Sequence, residues 1–328
     1  MQYQLIQGDC LIESDAIATG SVDMVLTDLP YGNMGATTGV YEGGLVWDNA
    51  IEPIKIFNIA NRILRKSGRC VLFAQEPYTT ELITQALPNL PLNYRLIWEK
   101  NDFANALICN TAPVSYFEDI VVFTLGDCKD EHPLREYFKK VLDFIGLKVS
   151  EINRCLGNFA SQRAFGVSST LFRLCTPKTY HELIDAFNID QMTGFREYSE
   201  LLTVDNQFKE EFSAIFNLWE GNKYKSNILK YSKDYGGLHP TQKPILLLED
   251  LIKTYTNEGD LVVDLTMGSA SAGKACKNTN RDFIGIELDK NYYDIAQARM
   301  TGNPIAPIKE TNNPNPTDLF SLFDVAKI

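Results

Sequence analysis

The sequence predicts an α/β fold, a doubly wound sheet with an inserted all-helical domain, and three observations carry that expectation. Short apolar runs alternate with helical stretches as far as Thr124, apolar residues then recur at three and four spacing from Pro133 to Phe212, and a second strand, loop and helix unit begins at Leu261. A chain of 328 residues has room for such a core and one modest extra domain.

Taken in order, Tyr3 to Ile6 reads as the first strand, closed by Gly8-Asp9-Cys10, and Val22 to Thr27 as the second. The second strand ends in Asp28-Leu29-Pro30-Tyr31, where the proline stiffens the turn. Glycines at Gly32, Gly35, Gly39, Gly43 and Gly44 mark the next stretch as a mobile loop, with Trp47-Asp48 at its end to pin its base or line a pocket. A helix over Ile54 to Leu64, a strand over Arg69 to Ala74, a helix over Tyr78 to Leu87 and strands at Tyr94 to Trp98 and Ile120 to Thr124 follow. In the helical stretch, Tyr137, Val141, Phe144 and Ile145 share one apolar face, as do Leu183, Ile184 and Phe187. Val149 to Leu156 is a short helix ended by Gly157, and Thr176-Pro177 opens another that runs through Tyr180 and Leu183. Ile245 to Tyr255 is helical, Leu261 to Val263 is a buried strand, and the chain turns through Asp264 to Ser271 into a helix containing Lys274 to Cys276. The last strand, Phe283 to Ile286, ends in Glu287. Past Met300, Pro304, Pro307, Pro314 and Pro316 mark a flexible tether bearing the apolar peptide Leu319 to Phe323. The expected units are residues 1–126, a helical insert 127–222, residues 223–300 and a tail 301–328.

The turn after the second strand has a specific chemical use. An aromatic amino group such as N6 of adenine is a poor nucleophile because its lone pair is delocalised into the ring. A carboxylate and a backbone carbonyl that both accept its N–H bonds help localise that pair. Asp28 supplies the carboxylate, Leu29 the carbonyl, and Tyr31 a ring face for a base to stack on. In α/β proteins a strand ending in Asp before a proline turn also occurs as plain architecture. At Gly268, Ser269 and Ala270 the small residues let backbone approach a ligand, and a carboxylate ending the next strand, Glu287, suits a cis-diol.

In chain order these pieces resemble the β-class amino-methyltransferases of DNA, whose catalytic motif precedes the cofactor motif with a target-recognition region between them. The likeness covers roughly two thirds of the chain, and its most specific part is His239-Pro240-Thr241-Gln242-Lys243-Pro244. The resemblance implies a Rossmann-like methyltransferase sheet, S-adenosylmethionine as cofactor and double-stranded DNA as substrate, as in restriction–modification enzymes. By resemblance, Asp9 contacts the adenine of the cofactor, Glu287 its ribose hydroxyls, and His239, Thr241 and Lys243 lie beside its methionine moiety. Asp264, Thr266, Gly268 and Ser269 form the cofactor loop. Where the family reads Asp-Pro-Pro-Tyr this chain has Leu29, which leaves the carbonyl role intact. In the cofactor loop Leu265, Thr266, Ala270 and Ser271 depart from Asp-Pro-Phe-x-Gly-Ser-Gly-Thr: Thr266 removes an aromatic packing surface and Ala270 restricts φ. Asp28 favours adenine N6, since relatives acting on cytosine N4 more often carry Ser there. Cytosine N4, an RNA adenine, and a regulator that keeps a degenerate methylase core are the competing readings.

Composition narrows the partners. A net charge of −11 argues against indiscriminate affinity for phosphates, so a nucleic-acid site must be local. Lys148, Arg154, Arg163, Arg173 and Lys178 stand against only Glu151 in one stretch, and Lys223, Lys225, Lys230, Lys233 and Lys243 against Glu220 and Asp234 in another. Two ordinary solvated faces would look the same. The insert fits a target-recognition domain; a lid or a homodimerisation module shares its periodicity. Leu319 to Phe323 resembles the peptide by which DNA-processing proteins engage sliding clamps, without its leading glutamine, and back-docking of Phe320 and Phe323 onto the core competes with that use. The seven cysteines include no Cys-x-x-Cys pair, so no zinc site is expected, and the lack of a Pro-Cys pair disfavours attack on carbon 5 of cytosine. Neither a signal peptide nor a membrane-length apolar run is recognisable, which points to the cytosol.

Overall fold

The computed structural model describes residues 1–30, 50–104, 113–126, 132–169, 172–212, 214–234 and 242–303. Tyr31, the glycine-rich stretch with Trp47, His239, Thr241 and the tail from residue 304 lie outside the described residues.

Eight strands form one sheet: β1 (Tyr3–Gln7), β2 (Val22–Asp28), β3 (Leu64–Ala74), β4 (Leu92–Ala104), β5 (Ser115–Thr124), β6 (Ile228–Lys230), β7 (Leu261–Asp264) and β8 (Asp282–Glu287). Their order is β1-β8-β7-β2-β3-β5-β4-β6. From β1 to β3 neighbours run parallel, whereas β5 is antiparallel to both β3 and β4. The chain moves outward from β7 to β8 on one side and from β2 to β3 on the other, so the strand order reverses between β7 and β2. In an open α/β sheet that reversal opens a crevice at the carboxyl ends of the strands.

Alternation along the strands divides the core into two layers. Cys70, Leu72 and Ala74 of β3 face one layer with Val121 and Phe123 of β5, packed by Ile56, Phe57, Ala60 and Ile63 of α2 (Pro53–Ile63). Val71, Phe73, Ile120 and Val122 face the other, covered by α8 (Ile245–Tyr255), α9 (Ser271–Asn278) and α10 (Lys290–Thr301). The remaining elements of this part are α1 (Cys10–Glu13) and α3 (Tyr78–Thr84). Strands β4 and β5 are longer than the sequence predicts. Residues 99–103 and 115–118 carry mostly polar or exposed side chains, so their pairing leaves no apolar signature.

Between β5 and β6 the described residues hold helices and no strand: α4 (Leu134–Ile145), α5 (Val149–Leu156), α6 (Pro177–Phe187) and α7 (Tyr198–Phe212). Gly146 and Gly157 adopt φ of 68° and 67° and end α4 and α5, and the Thr176 side chain accepts the Thr179 N–H at the start of α6. Leu134, Phe138, Val141, Ile152, Leu183 and Leu201 belong to a core cluster separate from the two sheet layers. Buried polar groups pair there: Arg135 donates through its two terminal nitrogens to the carbonyls of Val167 and Ser169, and Tyr137 and Tyr180 share a hydrogen bond between hydroxyls.

Candidate active site

Four consecutive strands, β1, β8, β7 and β2, each deliver a carboxylate to the same edge of the sheet. Asp9 follows β1, while Glu287, Asp264 and Asp28 close β8, β7 and β2. The arrangement follows from parallel register, with Gln7 opposite Glu287 and Asp264 opposite Gly285. Asp9 caps α1 by accepting the Leu11 N–H at 2.9 Å. Beside it, burial pushes the Cys10 thiol up to about 12, with Asp9, Asp264 and Glu287 adding to the shift, so three of the acids surround one thiol. Glu287 is also raised by burial. Its two oxygens accept the backbone N–H groups of Gly268 and Asp289, each at 2.8 Å, which ties the small-residue loop to β8. Within that loop Gly268 and Ala270 take φ of 52° and 56°. Ala270 therefore holds a left-handed conformation that glycine reaches more easily, in line with the restriction read from the sequence.

The reversal between β7 and β2 is crossed by hydrogen bonds. Thr266 shares one of 2.8 Å with the Thr27 hydroxyl and donates another of 2.9 Å to the Asp28 carbonyl. The residue that replaces an aromatic thus laces the cofactor-type loop to the catalytic-type turn. Asp264 accepts the Thr266 N–H at 3.1 Å, yet burial pushes its carboxyl up to about 7, against the Thr27 and Thr266 hydrogen bonds that favour the anion. The folded state therefore binds this proton more tightly than the unfolded chain, whose value is 3.8. Stability from this group is full below the unfolded value and is lost as pH rises through about 7. Without ligand, Asp264→Asn should gain melting temperature relative to wild type between pH 5 and 8; a difference that stays constant across that range would contradict the assignment.

Lys243, which the resemblance puts beside the methionine moiety of the cofactor, lies against Asp28 at the end of β2. Its ammonium sits 2.5 Å from Asp28 Oδ2 and 3.2 Å from Glu118 Oε2, and Glu118 Oε1 lies 2.5 Å from the Lys100 ammonium. Burial works against charge on Lys243, but Asp28 and Glu118 outweigh it and raise its pKa. Glu118 is likewise held low by Lys243 and Lys100 despite burial. Sequence reasoning missed Glu118 and Lys100. Both continue the period-two alternation past the apolar stretches, Leu96-Trp98-Lys100 in β4 and Val122-Ile120-Glu118 in β5, and that continuation is the signal available for finding them.

The basic residues expected on a DNA face divide in two. Lys148, Arg154, Arg163, Arg173 and Lys178 are all exposed, as is Lys223. Lys225 departs from that expectation: its side chain is 8% exposed and its ammonium lies 2.5 Å from Asp250, which also accepts from Trp219 and Tyr231. Lys233 donates to the Phe103 carbonyl. With Lys243 buried as well, the second basic cluster is spent largely on internal contacts.

A sequence profile described as DNA methylase matches residues 22–298. The chain is 39% identical over 84 residues to Type II methyltransferase M2.DpnII of Streptococcus pneumoniae, covering 26% of this chain and 30% of that protein. It is 33% identical over 143 residues to Type II methyltransferase M.HpaI of Haemophilus parainfluenzae, covering 43% of this chain and 42% of that protein. The matches thus span less than half the length of these curated relatives. The crystal structure of M1.HpyAVI aligns with a TM-score of 0.51 at 17% identity, over 91% of this chain and 98% of that one, and shows a shared fold.

Proposed function

This chain belongs to the N6/N4 family of DNA methylases, and on that premise we propose that it transfers a methyl group from S-adenosylmethionine to N6 of adenine in double-stranded DNA. The observation that carries the reading is Asp28 at the end of β2, joined through Thr266 to the loop that begins at Asp264. The donor set fits the cofactor. Glu287, held by the Gly268 and Asp289 N–H groups, keeps carboxylate lone pairs that ribose hydroxyls can donate to, and the small residues Gly268 to Ala270 let backbone approach the ligand. Bound there, S-adenosylmethionine supplies an electrophilic methyl group. Asp28 and the Leu29 carbonyl accept from the amine and orient its lone pair for direct in-line attack, with no covalent intermediate. N6 of a paired adenine lies inside the duplex, so the base must leave the stack, at a cost of a few kcal/mol that pocket contacts offset. We assign residues 1–126 and 223–300 to the catalytic and cofactor halves and residues 127–222 to target recognition.

Incubating the protein with tritiated S-adenosylmethionine and unmethylated DNA, then analysing nucleosides, tests the reading. N6-methyladenine is expected; N4-methylcytosine would move the target, and DNA binding without incorporation would indicate a regulator.

Two variants probe the binding surfaces. Glu287→Ala should weaken cofactor binding by roughly 10- to 150-fold, since a charge-assisted acceptor is worth roughly 1.5–3 kcal/mol. Because Glu287 also holds the Gly268 N–H, Glu287→Gln serves as the conservative comparison. Unchanged affinity in the Ala variant would remove Glu287 from the cofactor site. Replacing Arg154 and Arg163 together should weaken DNA binding and flatten its salt dependence by up to about one log–log unit per lost phosphate contact. Cofactor affinity should stay constant. Gel-shift titrations at several salt concentrations read this directly, and an unaltered slope would assign the insert to a lid or dimer role.

A further inference from the structure

Lys100, Glu118, Lys243 and Asp28 form a chain of alternating charges at the carboxyl edge of the sheet, with successive separations of 2.5, 3.2 and 2.5 Å. They come from β4, β5, the segment leading into α8, and the end of β2. The side chains of Lys100, Glu118 and Lys243 are 2%, 12% and 8% exposed. Charges at that depth are costly unless paired, so each fixes its neighbours. Aromatic faces complete the seats: the Lys243 ammonium lies 5.1 Å from the Phe73 ring centroid and that of Lys100 lies 5.2 Å from Trp98.

Lys243 is shared between two carboxylates, and that sharing bears on chemistry. Paired with Asp28 alone, the ammonium would place its whole charge on the group that must accept from the target amine, and would weaken it as an acceptor. Glu118 draws part of that charge away. Lys100, on the far oxygen of Glu118, limits how far. We propose that Glu118 and Lys100 are positioning residues for Asp28 that act through Lys243, holding its ammonium in a shared seat where Asp28 stays oriented, anionic and a strong acceptor. Neither touches the reacting amine. The inference rests on the reading of Asp28 as the amine acceptor.

Among the described residues, the charged groups facing Asp28 are Lys243 and, from the end of β7, Asp264, with Glu118 and Lys100 behind Lys243. The two proposed residues therefore have opposite signatures. In Glu118→Gln the undivided charge of Lys243 should lower the pH at which Asp28 titrates and reduce kcat about tenfold, with KM for DNA and cofactor affinity within about twofold. The acid limb of the kcat–pH profile should move down. In Lys100→Met the Asp28 titration and the acid limb should move up, and Glu118→Asp should recover most of the wild-type rate.

The deciding measurement is carbon-13 NMR titration of the full chain labelled at aspartate carboxyls, with Asp28 identified by the peak that Asp28→Asn removes. Opposite displacements in Glu118→Gln and Lys100→Met support the proposal. Lower melting temperatures in both variants with Asp28 titrating as in wild type would overturn it, because buried charges with only a structural role behave that way. Lys100→Met keeps an apolar chain against Trp98 and carries the test even where Glu118→Gln does not fold. If the titrations move as expected while wild-type protein methylates no DNA, the proposed function fails and the network stands; if wild type is active and the titrations do not move, the network fails alone.

Discussion

Asp28→Ala should reduce methyl transfer at least about 10³-fold while leaving S-adenosylmethionine affinity within about threefold. The size follows from where the carboxylate acts. Lone-pair localisation is needed as the methyl group moves, so the interaction strengthens toward the transition state, and its loss falls on kcat. Lys243 complicates the substitution, because removing Asp28 leaves the buried ammonium with Glu118 as its remaining carboxylate. Asp28→Asn, which keeps the shape and one acceptor oxygen, separates lost charge from a disturbed network. Both variants should lose turnover in a single-turnover assay. Near-wild-type rates in either would remove Asp28 from the chemistry.

Asp250→Ala should destabilise the protein by about 3–5 kcal/mol. Asp250 is 1% exposed and receives Lys225 at 2.5 Å, Tyr231 at 2.9 Å and Trp219 at 3.0 Å. It anchors the segment between Trp219 and Tyr231 to α8. Alanine strands a lysine whose side chain is 8% exposed, and an uncompensated buried charge costs more than the pair contributes when intact. Replacing Lys225 with Met in the same background should recover part of the loss. Urea denaturation measures both, and a single Asp250→Ala effect below about 1 kcal/mol would mean that water reaches Lys225 freely.

The elements that obey local rules were legible in the sequence. Val149–Leu156 with Gly157, the Thr176-Pro177 start and Ile245–Tyr255 lie where capping and periodicity place them, because each signal acts within a turn or two of chain. The carboxylates at the ends of β2, β7 and β8 were legible because a strand that stops at an acid leaves it at the edge of the sheet. What escaped depends on contacts across the chain. Lys243 and Asp28 are 215 residues apart, and nothing near Lys243 shows that its ammonium reaches the end of β2. Lys225 looked like part of a basic face because charge counting ignores the Asp250 that burial brings to it. Thr266 read as a lost packing surface, and its two hydrogen bonds depend on β2 and β7 being neighbours.

In the proposed function, labour divides across the reversal between β7 and β2: Glu287 and the loop it holds would bind the cofactor, and Asp28 would serve the target amine. Isothermal titration of S-adenosylmethionine into wild type, Asp28→Ala and Glu287→Ala, side by side, tests that division most directly. Affinity in Asp28→Ala should match wild type within about threefold while Glu287→Ala binds roughly 10- to 150-fold more weakly. Equal weakening in both variants, or in Asp28→Ala alone, would contradict it.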